Sequence, residues 1–343
     1  MNAKRSGWKP KLIAIFVSCL MIVVLLGIGE LYCRWFTRIN FLDSSVGLFT
    51  ADRFGPTYGN TPNYKGESFG EAFYTDANGF RIEREFRSIA ASDAPAILIV
   101  GDSVSFGPAI RDDLTIAGHL RRGLRNERIY NSSAIGYDAT AYRNVIASLV
   151  PQRPEVKTVL LFYCLNDLTD VSAADIKSQI NDNGEIYATS DSSSVRKIND
   201  YLRSRSKLYL WLKNALRDTQ MIYFQNDLAS YQKSDKYLED GLRPLAEIKQ
   251  QLDAADISLK VFVLPYEAQL RKNTPPDFLL PQQKVDDFLK QNGIQFFDLT
   301  QDLQNSGDTH SLFLYGDPMH LSEKGHELVA KKVCSTIPDC KPQ

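Results

Sequence analysis

The chain has 343 residues, 43% hydrophobic and 24% charged, a balance that suits a globular core and excludes a disordered or fibrous protein. Lys and Arg total 40 against 41 Asp and Glu, a formal net charge of -1, so no summed field favours nucleic acid as a partner. Among the 5 Cys no Cys-x-x-Cys pair argues for zinc.

The first element is apolar. Residues 12–29 form a run of 18 without a charge, close to the roughly 20 that a helix needs to cross the hydrocarbon core. The reading is a transmembrane helix over 12–32, with Tyr32, Trp35 and Phe36 as an interfacial aromatic belt. Lys4, Arg5, Lys9 and Lys11 precede the run and only Arg34 and Arg38 closely follow it. The positive-inside bias therefore makes 1–11 a cytoplasmic tail and puts the rest outside, in the periplasm or beyond the cell. A cleaved signal peptide is the competing reading, opposed by the lack of a small-x-small site after Gly29. Lipid attachment at Cys19 is weaker, because the apolar run continues past it.

Residues 33–95 are polar with scattered Gly, Asn and Pro, and read as a connecting arm with little regular structure. From residue 96 onward short apolar runs at 96–100, 128–131, 156–163, 258–264 and 294–298 alternate with amphipathic stretches at 114–126, 139–150, 237–254, 282–291 and 323–333. This alternation predicts an α/β domain over 96–343, a parallel sheet covered by helices on both faces. Residues 170–235 break the rhythm and read as an insertion. Its aromatic part contains Tyr201, Tyr209, Trp211, Tyr223 and Phe224, which line a substrate groove, lie against the membrane, or pack on the domain's flank, the last being the commonest fate of large apolar side chains. Near the C-terminus Cys334 and Cys340 are close enough for a small disulfide loop in an oxidising compartment; two free thiols are the alternative.

The buried-strand run Ile97-Leu98-Ile99-Val100 leads directly into Gly101-Asp102-Ser103. This places a serine at the carboxyl end of the first strand, the sheet edge where ligands bind in open α/β folds. Gly101 permits a sharp turn, and the Ser103 N–H faces a developing oxyanion. Asp317-Pro318-Met319-His320 lies before a helix that Ser322 caps and Glu323 opens. Its Asp-x-x-His spacing lets the carboxylate hold one imidazole nitrogen while the other accepts the proton of Ser103. Of the 4 His, His119 and His326 fall within helices and read as structural. His310, with Asp308 nearby, is the rival base.

Gly101-Asp102-Ser103, Gly136, Asn166-Asp167 and Asp317-x-x-His320 resemble, in order, the four sequence blocks of the SGNH (GDSL-like) hydrolase family. The resemblance spans about 96–333. It implies a flavodoxin-like three-layer sandwich with a five-stranded parallel sheet in the order 2-1-3-4-5. It also implies a catalytic set of Ser103, Asp317 and His320, and an oxyanion hole made by Ser103, Gly136 and Asn166. Cys164 stands where the family usually has the glycine of its third block. Asn78-Gly79-Phe80-Arg81 is similar to a segment of membrane-anchored bacterial members. The activity so implied is a serine esterase that removes an acyl group, acetyl foremost, from an acylated small molecule or a cell-surface or exported carbohydrate, with no cofactor or metal. The alternatives are an O-acyltransferase to envelope polysaccharide using the same residues, and a glycan-binding assembly factor without turnover.

Overall fold

A computed structural model describes residues 8–37, 39–41, 46–84, 93–168 and 194–341. Residues 169–193, the first part of the expected insertion, lie outside the described residues. The chain opens with helix α1 (Trp8–Phe36), whose apolar stretch is exposed on all sides.

Among the described residues the core is a mixed sheet of eight strands. Five are parallel: β6 (Ala96–Gly101), β7 (Arg128–Asn131), β8 (Val156–Cys164), β9 (Ser258–Leu264) and β10 (Phe296–Asp298). Across the sheet they run β7-β6-β8-β9-β10, which is the expected 2-1-3-4-5. β6 is buried at every position, as expected of a central parallel strand covered on both faces. The crossovers are carried by α2 (Ser103–Phe106), α3 (Ile116–Gly123), α4 (Ala139–Leu149), α8 (Asp235–Ala254) and α9 (Leu280–Gln291). After β10, α10 (Thr300–Gln304) and a 3-10 turn at Thr309–Leu312 lead to α11 (Glu323–Ser335). Cys334 and Cys340 are joined as a disulfide.

The stretch expected to be an unstructured arm is instead largely β-structure. β1 (Phe49–Phe54) and β2 (Thr57–Asn60) form an antiparallel ribbon. β3 (Lys65–Ser68), β4 (Glu71–Thr75) and β5 (Arg81–Ile82) extend the central sheet beyond β7 by antiparallel pairing. These strands are short, polar and half exposed, so their sequence carries little of the period-2 apolar signal on which a strand is recognised. They cover what would otherwise be the open edge of β7.

Past the undescribed part, the insertion is helical: α5 (Ser194–Arg203), α6 (Lys207–Leu216) and α7 (Thr219–Tyr231). α6 packs on the C-terminal part of α1.

Candidate active site

β6 ends at Gly101 between β7 and β8, where the connections leave in opposite directions; such a switch point is where an open α/β sheet has room for a ligand. Gly101 is needed for space rather than for the turn expected of it. A Cβ there would lie 2.2 Å from Ser105 Oγ and 2.9 Å from the Phe162 carbonyl of the neighbouring strand. The turn is taken one helix later, where Gly107 closes α2 at φ 74° and its N–H returns to the Ser103 carbonyl at 2.9 Å. Asp102 caps α2 by accepting the Val104 N–H at 2.8 Å, which leaves Ser103 as the first residue of that helix.

Ser103 Oγ lies 2.8 Å from His320 Nε2, and His320 Nδ1 lies 2.7 Å from Asp317 Oδ2. The other Asp317 oxygen accepts the backbone N–H groups of Met319 at 3.0 Å and His320 at 2.7 Å. The Asp-x-x-His spacing is thus used twice, once for the ring and once for the turn that aims it. The segment is pinned by pairing of Phe313 with Leu321 and by Leu314 N–H to the His320 carbonyl at 2.9 Å. Ser322 caps α11 through the Gly325 N–H at 3.2 Å. Further support comes from α7, where the Gln220 amide donates to the Asp317 carbonyl at 2.9 Å.

Burial acts to lower the pKa of His320, but the charge and hydrogen bond of Asp317, with Asp102 adding to them, carry it above its ordinary 6.5. For Asp317, burial acts upward and is outweighed by His320 and the two backbone N–H groups, so its carboxyl is held below the ordinary range. These opposed shifts describe a neutral or charged imidazole beside a fixed carboxylate.

The other histidines stay away from Ser103. His326 is fully buried and pushed down to about 3, chiefly by burial, with Nδ1 accepting the Ile116 N–H at 3.3 Å. His119 lies 3.0 Å from Arg122. His310 pairs with Glu267 at 2.8 Å rather than with Asp308. It forms no second dyad with Ser103.

The two further oxyanion candidates occupy the same sheet edge. The Asn166 amide nitrogen is 3.4 Å from Asp102 Oδ2, the oxygen that Ser103 Oγ also approaches, at 3.1 Å. Gly136 is the third residue of the turn 134–137, closed by Tyr137 N–H to the Ala134 carbonyl at 3.4 Å, with φ 82°, a position that favours glycine. The β1–β2 ribbon buttresses that turn. The Tyr58 hydroxyl donates to the Ile135 carbonyl, Tyr137 Oη to the Tyr58 carbonyl at 2.6 Å, and Asn60 to the Ser133 carbonyl at 3.0 Å.

Cys164, in the usual glycine position, is fully buried; its sulfur accepts the Asp167 N–H while the Asp167 carboxylate accepts the Cys164 N–H at 2.6 Å. The thiol therefore braces the Asn166 turn. Burial pushes Asp167 well above the carboxylate range, and Tyr142 Oη donates to it at 2.5 Å.

Beside His320 lies a cavity of about 270 Å³ whose walls include Phe69, Leu210, Lys213, Tyr223, Tyr315 and Met319. Phe69 had no signal in the sequence that tied it to the site, whereas Tyr223 belongs to the aromatic stretch for which a substrate groove is one reading. Arg81, noticed there only as part of a similar segment, proves to be a buried support. Its guanidinium donates to the Phe106, Gly107 and Ile110 carbonyls, holding the chain just after α2.

Residues 220–343 match the family model described as SGNH hydrolase-like domain, acetyltransferase AlgX. That segment holds Asp317 and His320, while Ser103 precedes it. No curated protein sequence matches the chain. Similar solved structures include a lipolytic protein of the G-D-S-L family from Veillonella parvula, 11% identical over 71% of this chain and 98% of that one, with TM-score 0.42. A lipase/acylhydrolase from Enterococcus faecalis is 12% identical over 73% and 98%, with TM-score 0.41. The acetyl xylan esterase AlAXEase is 12% identical over 71% and 99%, with TM-score 0.42. The matched segment, about a third of the chain and the part that carries Asp317 and His320, is SGNH hydrolase-like, and the mostly parallel sheet accords with that likeness.

Proposed function

We propose that the protein is a serine acyl-ester hydrolase working through an acyl-enzyme on Ser103. The observation that carries this reading is the unbroken chain from Ser103 Oγ to His320 Nε2 at 2.8 Å and from His320 Nδ1 to Asp317 at 2.7 Å. In the first half-reaction Ser103 Oγ bonds to the ester carbonyl carbon as its proton passes to His320. The tetrahedral oxyanion faces the Ser103 and Gly136 N–H groups and the Asn166 amide. Collapse breaks the ester C–O bond, and His320 returns the proton to the leaving alcohol. Water then repeats the sequence on the acyl-enzyme, releasing the acid and restoring Ser103. Asp317 keeps the ring oriented and stabilises its charged form.

The substrate class in this reading is an acylated carbohydrate outside the cytoplasm, with acetyl as the first acyl group to try. α1 anchors the chain with its N-terminus inside. The Cys334–Cys340 disulfide is consistent with an oxidising compartment.

A second reading keeps the acyl-enzyme but lets a sugar hydroxyl replace water, making the protein an O-acyltransferase. It is favoured by the word acetyltransferase in the description of the matched family. One assay tests both: p-nitrophenyl acetate turnover by the full chain and by Ser103→Ala, with and without a polysaccharide acceptor. Ser103-dependent release of acetate supports hydrolysis, and Ser103-dependent acetyl on the acceptor supports transfer. Equal, negligible rates in two well-folded proteins count against both.

A further inference from the structure

We infer that α6 lies in the interfacial layer of the membrane that α1 spans, as a one-helix partition between the bilayer surface and the cavity beside His320. The inference rests on the reading of α1 as a membrane anchor. Its structural basis is the junction between the two helices. The Glu30 carboxylate of α1 accepts the Ser206 hydroxyl at 2.7 Å and the backbone N–H groups of Lys207 at 3.1 Å and Leu208 at 3.0 Å. It thereby supplies an anion to the first turn of α6, where the Ser206 hydroxyl already accepts the Tyr209 N–H at 3.0 Å. Arg34 donates to the Arg205 carbonyl at 2.7 Å, and a Cβ on Gly29 would lie 3.1 Å from a Leu208 methyl. The start of α6 is thus held at the level where α1 leaves the apolar layer.

From that point α6 has two faces. Leu208, Trp211, Leu212, Ala215 and Leu216 recur at helical spacing; the last four are exposed, Leu216 to 85%. On the other side Leu210, Lys213 and Asn214 line the cavity that His320 also lines. The outward stripe begins at the residue packed on α1, so it continues the lipid-facing surface of the anchor. That continuity selects the occupant as the same bilayer rather than a separate partner.

Charge agrees. Residues 201–217 contain Arg203, Arg205, Lys207, Lys213 and Arg217 and no Asp or Glu, in a chain whose totals are 40 basic and 41 acidic. Basic residues interleaved with Trp, Tyr and Leu are the make-up of a helix lying in an anionic interface. A helix is about 10 Å across, so a cavity walled by the inner face of α6 sits within one helix diameter of the lipid headgroups.

The test is fluorescence quenching in the full chain reconstituted into phosphatidylcholine and phosphatidylglycerol vesicles. The chain has 3 Trp, which allows two single-tryptophan proteins: one keeping Trp211 (Trp8→Phe, Trp35→Phe) and one keeping Trp35 (Trp8→Phe, Trp211→Phe). Trp35 reports the anchor and Trp211 the α6 face, and neither readout depends on ester turnover. The expected result is that lipids brominated near the headgroup quench both, and that lipids brominated at the chain terminus quench Trp211 much less. Adding Leu212→Glu and Leu216→Glu to the Trp211 protein is expected to reduce its quenching while circular dichroism is unchanged. Quenching of Trp35 without quenching of Trp211 overturns the placement of α6 and leaves the anchor standing. Absence of quenching at both overturns the two together.

Discussion

The Phe69 ring stands edge-on to the His320 imidazole, with centroids 6.0 Å apart and planes at 83°. Phe69 and Gly70 form the two-residue turn between β3 and β4, with φ 53° and 80°. Positive φ at both positions is the signature of a type I′ hairpin turn. A bulky side chain there costs roughly 1–3 kcal/mol, and what the position gains is a ring against the candidate base. Asn tolerates the left-handed region. Phe69→Asn is therefore expected to leave the thermal midpoint unchanged or higher and to raise KM for an ester substrate several-fold with little change in kcat. A lowered midpoint with unchanged KM would show that Phe69 serves the fold alone.

The proposed general base must be neutral to accept a proton, and Asp317 holds His320 above its ordinary 6.5. The acidic limb of kcat/KM is accordingly expected to rise through a value above 6.5. Asp317→Asn removes the largest raising influence, so burial pulls the imidazole down: the limb moves to lower pH and kcat falls by about 10⁴-fold. The linkage to stability has two signs. The raised His320 contributes stability below its unfolded pKa and loses it as pH rises through the folded value. The depressed Asp317 contributes above its unfolded pKa and loses it as pH falls through the folded value. An unchanged limb in Asp317→Asn contradicts the assigned pairing.

Asp112 sits buried between two guanidinium groups, 3.4 Å from Arg81 and directly paired with Arg121. Burial pushes Arg81 down to about 10 despite this neighbour. Asp112→Asn leaves two cations without their counter-charge and is expected to cost about 3–5 kcal/mol in denaturant unfolding. Because Arg81 holds the carbonyls after α2, the loss of activity should track the loss of folded protein. A variant of unchanged stability would contradict the ion pair.

Gly101→Ala puts a methyl 2.9 Å from a strand carbonyl that has no room to withdraw. The expectation is a destabilisation of about 1–3 kcal/mol, with kcat reduced more than KM is changed, as β6 shifts the start of α2. Unaltered kcat would mean that the strand end is looser than the close approach implies.

The parallel half of the fold is legible in the sequence because its strands are short apolar runs that alternate with amphipathic stretches; 128–131 and 258–264 are bounded in the structure as their residues predict. The antiparallel half is not. Lys65-Gly66-Glu67-Ser68 has no apolar alternation, and it becomes a strand only because β4 offers it a partner. The site divides in the same way. Ser103, Asp317 and His320 announce themselves through motif and spacing, and the structure brings them within hydrogen-bonding distance. Phe69, Tyr58 and Leu210 reach the site through tertiary packing alone, and no local pattern marks them.

Activation of Ser103 by His320 as a nucleophile can be read with a fluorophosphonate probe followed by peptide mass mapping. One phosphonylated site is expected, on the peptide containing Ser103, abolished in Ser103→Ala and strongly slowed in His320→Ala. A folded wild-type protein that stays unlabelled at Ser103, or labels equally fast without His320, would contradict it.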